Sequence, residues 1–200
     1  FAFAGLARCG FIAMELLNSL VEIKKISEKD KNIFLSNIST ITSKMTNDLN
    51  NLSKKDFIKI YGHLRPGTYE ITSLNYREGF KKYFGNNYKS RTFKGQTKRI
   101  RINAPVNKIG IYRSNRELFN FIEDSIINRE YSKFIFSKSI DLIFENLIKL
   151  GNRYKIKKKD ISYIKISKIM EMYFNLTTDK NILSLKRHIR ENRKEYNANK

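Results

Sequence analysis

The sequence predicts an all-α fold: an antiparallel helical domain carrying one long, basic, irregular insertion. Three observations carry that prediction. Apolar residues recur at spacings of three and four over most of the chain, the period of a helix face. Only 2 Pro and 9 Gly occur in 200 residues, too few for a turn-dense sandwich or barrel. Ser-x-x-acid pairs, which start helices by reciprocal capping, stand ahead of the apolar runs.

The elements follow in order. Residues 2–24 place Phe3, Leu6, Cys9, Ala13, Leu16, Leu17 and Leu20 along one side of a helix. Ser27-x-x-Asp30 opens a helix running to about Leu52, with Ile33, Phe34, Ile38, Ile41, Met45, Leu49 and Leu52 as its stripe. Ser53-x-x-Asp56 starts a short helix that Gly62 ends. A further short helix spans Tyr76 to Phe84. Residues 85–113 lack a helical period, and "RIRI" alternates as a strand edge does, allowing a short β-hairpin. Ser114-x-x-Glu117 caps the helix "NRELFNFIEDSIINRE", and a second helix then runs to Gly151. Asp160 caps "ISYIKISKIMEMYF", and Thr178 caps a final charged helix to about Tyr196. On its polar side His188 reads as a surface residue.

Composition narrows the chemistry. A hydrophobic share of 40% suits a globular chain rather than a disordered one. The single Cys9 excludes a disulfide framework and fits a reducing, cytoplasmic setting. With His63 and His188 far apart, no His/Cys metal cluster is expected. The opening run "FAFAGLARCGFIAMELLNSLV" is apolar, but Arg8 and Glu15 make a membrane span costly. No basic region precedes it, as a signal peptide would need. It reads instead as a buried helix of a longer protein, with Arg8 paired to a carboxylate or held against an anion in a cleft.

The net charge of +21 admits nucleic acid, an anionic membrane or phosphorylated ligands as partners. It also follows from a Lys/Ile/Asn-rich composition with no functional meaning. One block concentrates it: residues 79–116 hold eleven Lys and Arg and no acid. If the chain were a nucleic-acid-binding module, that block would be its contact surface, though no helix-turn-helix or RNA-binding signature accompanies it.

The chemistry gathers in "YGHLRPGTYEITSLNY", residues 61–76. Pro66-Gly67 predicts a type II turn, with Gly67 at positive φ. Around it stand His63, Arg65, Thr68, Tyr69, Glu70, Thr72 and Ser73. They offer a guanidinium fork for a carboxylate or phosphate, hydroxyl donors, and a carboxylate for an ammonium. That set suits a small zwitterion or phosphate ester. The competing reading is a structural corner in which Arg65 and Glu70 pair with one another or with neighbouring helices. No Walker loop, paired-Asp metal signature or Ser/His/Asp arrangement is present.

Here the sequence resembles the middle, acceptor-binding domain of the phosphoenolpyruvate-synthase-like phosphotransferases, and within that group the L-glutamine kinases of bacterial capsule phosphoramidate biosynthesis. The likeness rests on "FAGLARCGFIAMELLNSLV" at 3–21, "GHLRPGTYEITS" at 62–73, "REYSKFIF" at 129–136, "DISYIKISKIM" at 160–170 and "RENRKEY" at 190–196. The second of these is specific, and residues 85–113 match nothing in the family. The resemblance implies one helical domain of a larger enzyme, with an ATP-grasp domain and a phosphohistidine domain elsewhere in the polypeptide. ATP and Mg would be bound mainly there. The acceptor would be the side-chain amide of L-glutamine or a similar small molecule, with AMP and phosphate released.

The family's Gly-His-Arg motif falls on Gly62, His63 and Arg65, with Leu64 inserted, and its acidic position on Glu70. The resemblance thus implies a substrate-binding set of His63, Arg65, Thr68, Tyr69, Glu70 and Arg8. It implies no catalytic residue within the chain; no metal and no membrane partner are expected, and nucleic acid is the partner of the rival reading rather than of this one. Arg129 and Glu130 would brace helices.

Overall fold

The computed structural model describes residues 2–85, 114–174 and 179–199. The described residues are all-α, with no strand. The helices are α1 (Ala2–Glu22), α2 (Glu28–Asn37), α3 (Ile41–Asn51), α4 (Lys54–Tyr61), α5 (Tyr76–Phe84), α6 (Asn115–Arg153), α7 (Lys158–Ile161), α8 (Ile166–Phe174) and α9 (Asp179–Ala198). The expected basic insertion, its strand-like stretch and the Thr178 cap lie outside the described residues. The chain gathers into two compact units: Phe1–Tyr61 with Phe84–Phe136, and Gly62–Tyr83 with Ser137–Lys200.

The first unit packs α1 against the N-terminal half of α6. Phe3 stacks on Phe136 with ring centroids 5.1 Å apart. Seven residues on, Gly10 lies against Arg129, where a β-carbon would come within 2.5 Å of the Arg129 Cδ. The two contacts run in opposite chain directions, so the pair is antiparallel. Arg129 also donates two hydrogen bonds to Glu130 and lies 5.7 Å from the Phe11 ring centroid. It braces α6 against α1, as the sequence suggested. The core joins Ala13, Leu17 and Leu20 of α1 to Phe34 and Ile38 and to Leu118, Ile122 and Ile126 of α6. A second aromatic group holds α4, with Phe57, Tyr61, Phe84 and Phe134 in successive ring contacts.

The capping predictions hold where they are local. Ser27 and Asp30 form a reciprocal capping box. The Ser53 hydroxyl accepts the Asp56 N–H at 3.1 Å, and Ser114 accepts the Glu117 N–H at 3.2 Å. Three boundaries differ from expectation. The expected helix 27–52 is two helices, because Ile38 turns extended and buries its side chain. Thr40 then caps α3 afresh. The two expected helices of 115–151 are one, with no Gly or Pro before Gly151 to divide them. The helix expected after Asp160 is broken between α7 and α8, and Asp160 is a member of α7 that pairs with Arg193 at 3.5 Å. Residues of α9 hold that break. His188 Nε2 accepts the Lys165 N–H at 3.3 Å, and the Asn192 amide donates to the Tyr163 carbonyl at 2.8 Å. His188 is therefore half-buried and structural, not a bare surface residue.

α1 is not the buried helix its composition suggested. Only Gly10, Ala13, Leu17 and Leu20 are buried, while Phe11 is 63% and Ile12 52% exposed. Its length and apolarity would allow it to cross a membrane, a test that a core helix or signal sequence also passes.

Candidate functional site

Residues 62–75 connect α4 to α5 without regular structure. The two ends of this connection meet: Tyr76 N–H donates to the Leu64 carbonyl at 2.8 Å, and Arg77 N–H to that of Gly62 at 3.1 Å. A compact loop with joined ends is an Ω-loop, a form often used for function.

Its inner side is anchored in the second unit. Ile71 enters the core formed with Ile156, Ile161, Leu185 and Ile189. Arg65 pairs with Asp141 of α6, and the two side chains are only 5% and 4% exposed. The rest of the guanidinium is also engaged. Nη1 donates to the Ser73 carbonyl at 3.2 Å, and the cation sits 4.9 Å from the Phe144 ring centroid. Asp141 takes a further bond from the Asn75 amide at 3.0 Å, and Arg77 approaches it at 3.7 Å while pairing with Glu145. Asn75 also caps α5, its side-chain oxygen accepting the Glu78 N–H at 2.9 Å. A buried cation requires this kind of compensation. Tyr76, the first residue of α5, has its phenol pushed up from the ordinary value by burial, with Tyr83 adding to the effect.

The outer side is built by the turn. Glu70 N–H donates to the Gly67 carbonyl at 3.0 Å, and Ser73 N–H to that of Glu70 at 3.1 Å. Gly67 N–H donates to the Ser73 hydroxyl at 3.3 Å. Gly67 does not have a positive φ, so the expected type II turn is not formed, and the space beside it is tight. A β-carbon there would lie 3.0 Å from both Cβ and Oε2 of Glu70. The Thr72 hydroxyl donates to Glu70 Oε1, fixing the carboxylate.

The predicted residues thus separate. His63 and Arg65 are buried, Thr68 is half-buried, and Tyr69 and Glu70 are exposed, Tyr69 by 66%. Arg8 belongs to the other unit, on α1. It is exposed rather than buried, because it lies off the Gly10–Ala13–Leu17–Leu20 stripe. No ion pair to it, from Glu15 or elsewhere, occurs among the described residues.

Asp141 and Asn75 were missed in the sequence. The available signal was a lone acid within the apolar run "SIDLIF". Among the described residues no cluster of three or more His, Cys, Asp or Glu is placed to hold a metal ion. No family model, curated protein or solved structure matches the chain.

Proposed function

We propose that the chain is the acceptor-binding domain of an ATP-dependent phosphotransferase of the phosphoenolpyruvate-synthase-like class. Within that class the proposed acceptor is the side-chain amide of L-glutamine. The observation that carries the reading is the division of the 62–75 loop. A buried ion pair, Arg65 with Asp141, holds it from within. Tyr69 and Glu70 are held outward on a turn with internal hydrogen bonds. Such fixation lowers the ordering cost of binding a small ligand.

In this reading Glu70 receives the acceptor ammonium, with Thr72 holding the carboxylate in place. Thr68 and Tyr69 orient the acceptor. Arg65 shapes the loop, since its charge is already neutralised by Asp141. His63 supports the loop from its buried side. ATP, Mg and the phosphohistidine belong to other domains, and ATP would supply the phosphoryl group there. The described residues contain no acidic cluster suited to Mg, so no step is assigned to it in this chain. A small acceptor other than glutamine is the alternative within the same class. Such an enzyme works in the cytoplasm, where ATP is available.

The test is AMP release from ATP by the chain together with its flanking sequence, with and without L-glutamine. Glutamine-dependent release, lowered at least about tenfold by Glu70→Gln, is expected; tenfold corresponds to about 1.4 kcal/mol. Release indifferent to glutamine removes the proposed acceptor, and turnover unchanged in Glu70→Gln removes the loop from the site. The 200-residue chain alone is expected to turn over no ATP.

A further inference from the structure

We propose that the outward face of α9 binds the phosphate backbone of duplex DNA. This is a function separate from acceptor handling by the 62–75 loop. Arg187, Arg190 and Lys194 follow one another at spacings of three and four, so they share one strip about 60° wide and about 10 Å long. Ile182, Leu185 and Ile189, on the opposite side of the same helix, are buried. The strip therefore faces away from the core of its unit.

A hollow of about 420 Å³ lies along it, lined by Arg187, Arg190, Glu191, Arg193, Lys194 and Asn197. Arg193 is engaged by Asp160. Among the described residues, Arg187, Arg190 and Lys194 have no ion pair.

The shape of the strip selects its ligand. All six lining residues belong to one helix, so the hollow has no opposing wall. A small anion there would stay hydrated on its outer side and gain little. A linear polyanion gains at each cation in turn by releasing its condensed counterions. Duplex DNA presents one charge per about 1.7 Å of axis, so about six charges pass along a 10 Å strip. A protein partner would need apolar anchors at the centre of the contact. Leu183 is the one exposed large apolar residue at the end of this strip. A membrane-lying helix needs a whole apolar face, and that of α9 is already in the core. Contacts of this kind read charge and carry no sequence preference.

The experiment titrates labelled duplex DNA with the 200-residue chain at several salt concentrations. The triple variant Arg187→Gln, Arg190→Gln, Lys194→Gln is compared with a control of equal charge, Lys44→Gln, Lys55→Gln, Lys59→Gln. These control lysines are exposed on α3 and α4. The expected result is that the α9 variant binds more weakly, with a plot of log K against log salt shallower by about 2 to 3. The control variant should keep most of the affinity and slope.

Equal losses in both variants would show that net charge alone is responsible and would overturn the proposal. So would unchanged binding in the α9 variant, or binding to phosphatidylserine vesicles without binding to DNA. Helical content by circular dichroism accompanies each variant. If the triple variant loses helix, Lys194→Glu at the exposed end of α9 replaces it, with Lys59→Glu as its control of equal charge and a slope shallower by about 1 expected. The glutamine assay does not enter, so this proposal and the assignment of the loop stand or fall separately.

Discussion

Asp141 is the residue on which the 62–75 loop depends. It accepts from Arg65 and Asn75 and attracts Arg77, while itself buried. Asp141→Ala leaves the Arg65 cation without its counter-charge in a dry site. That loss is expected to destabilise the protein by about 3–5 kcal/mol, read by thermal or denaturant unfolding. Adding Arg65→Ala should cost much less than the sum of the single changes, because each single change already removes the pair. A sum that is simply additive would mean the pair contributes nothing. Glu70, exposed and outside this network, is expected to influence binding with little effect on stability.

Tyr61 gives a pH signature at the same scale. Its ring is fully buried, and its hydroxyl donates to Asp48 at 2.7 Å. Burial, and then Asp48, push the phenol far above its ordinary value of 10.0. The folded state therefore keeps the proton where the unfolded chain loses it. Its stabilising contribution is complete below about pH 10 and falls away as pH rises through the folded value. Unfolding measured from pH 8 to 11 should show this alkaline loss in the wild type and a smaller one in Tyr61→Phe.

At the scale of elements, hydrogen bonds between near neighbours decide where several helices begin. The Ser27–Asp30 box is one such start: the Ser27 hydroxyl and N–H bond Asp30 and hold its carboxyl below the usual value. Ser27→Ala is expected to cost about 1 kcal/mol. Just before it, Lys24 occupies the left-handed region at φ 57°, where the chain leaves α1. Lys25 and Ile26 N–H both return to the Leu20 carbonyl there. Lys24→Gly is expected to raise stability by about 0.5–1 kcal/mol, as the left-handed strain exceeds the added chain entropy. Chemical denaturation measures both changes, and a destabilised Lys24→Gly would contradict the assignment of strain.

Local signals placed the bounds of α4 for this reason, and put a helix around Tyr76 to Phe84 although its Asn75 cap was not read. They failed at 38–40 and at 162–165. There the chain bends because Ile38 is taken into the first core, and because His188 and Asn192 of α9 bind the backbone of the turn. Neither partner is near in sequence, so no window of a few residues contains the cause.

For the whole molecule, charge is the dominant feature, with 40 Lys and Arg against 19 Asp and Glu. Among the described residues most ion pairs involve at least one half-exposed partner, so they offset little of the repulsion. Raising ionic strength from about 10 mM to about 150 mM shortens the Debye length from about 30 Å to about 8 Å. The melting temperature is expected to rise over that range, as self-repulsion is screened. A fall would mean that the attractive pairs outweigh the excess.

The sequence by itself determined the all-α class, the capped starts of α2, α4 and α6, and the concentration of polar chemistry at residues 62–73. Those follow from hydrogen bonds and periodicities that span a few residues. Only the tertiary structure decided which of those polar residues face inward. Arg65 finds Asp141 from 76 positions away, and that choice leaves Tyr69 and Glu70 outermost. A buried charge must meet its opposite wherever folding brings one, and the separation along the chain does not limit the search.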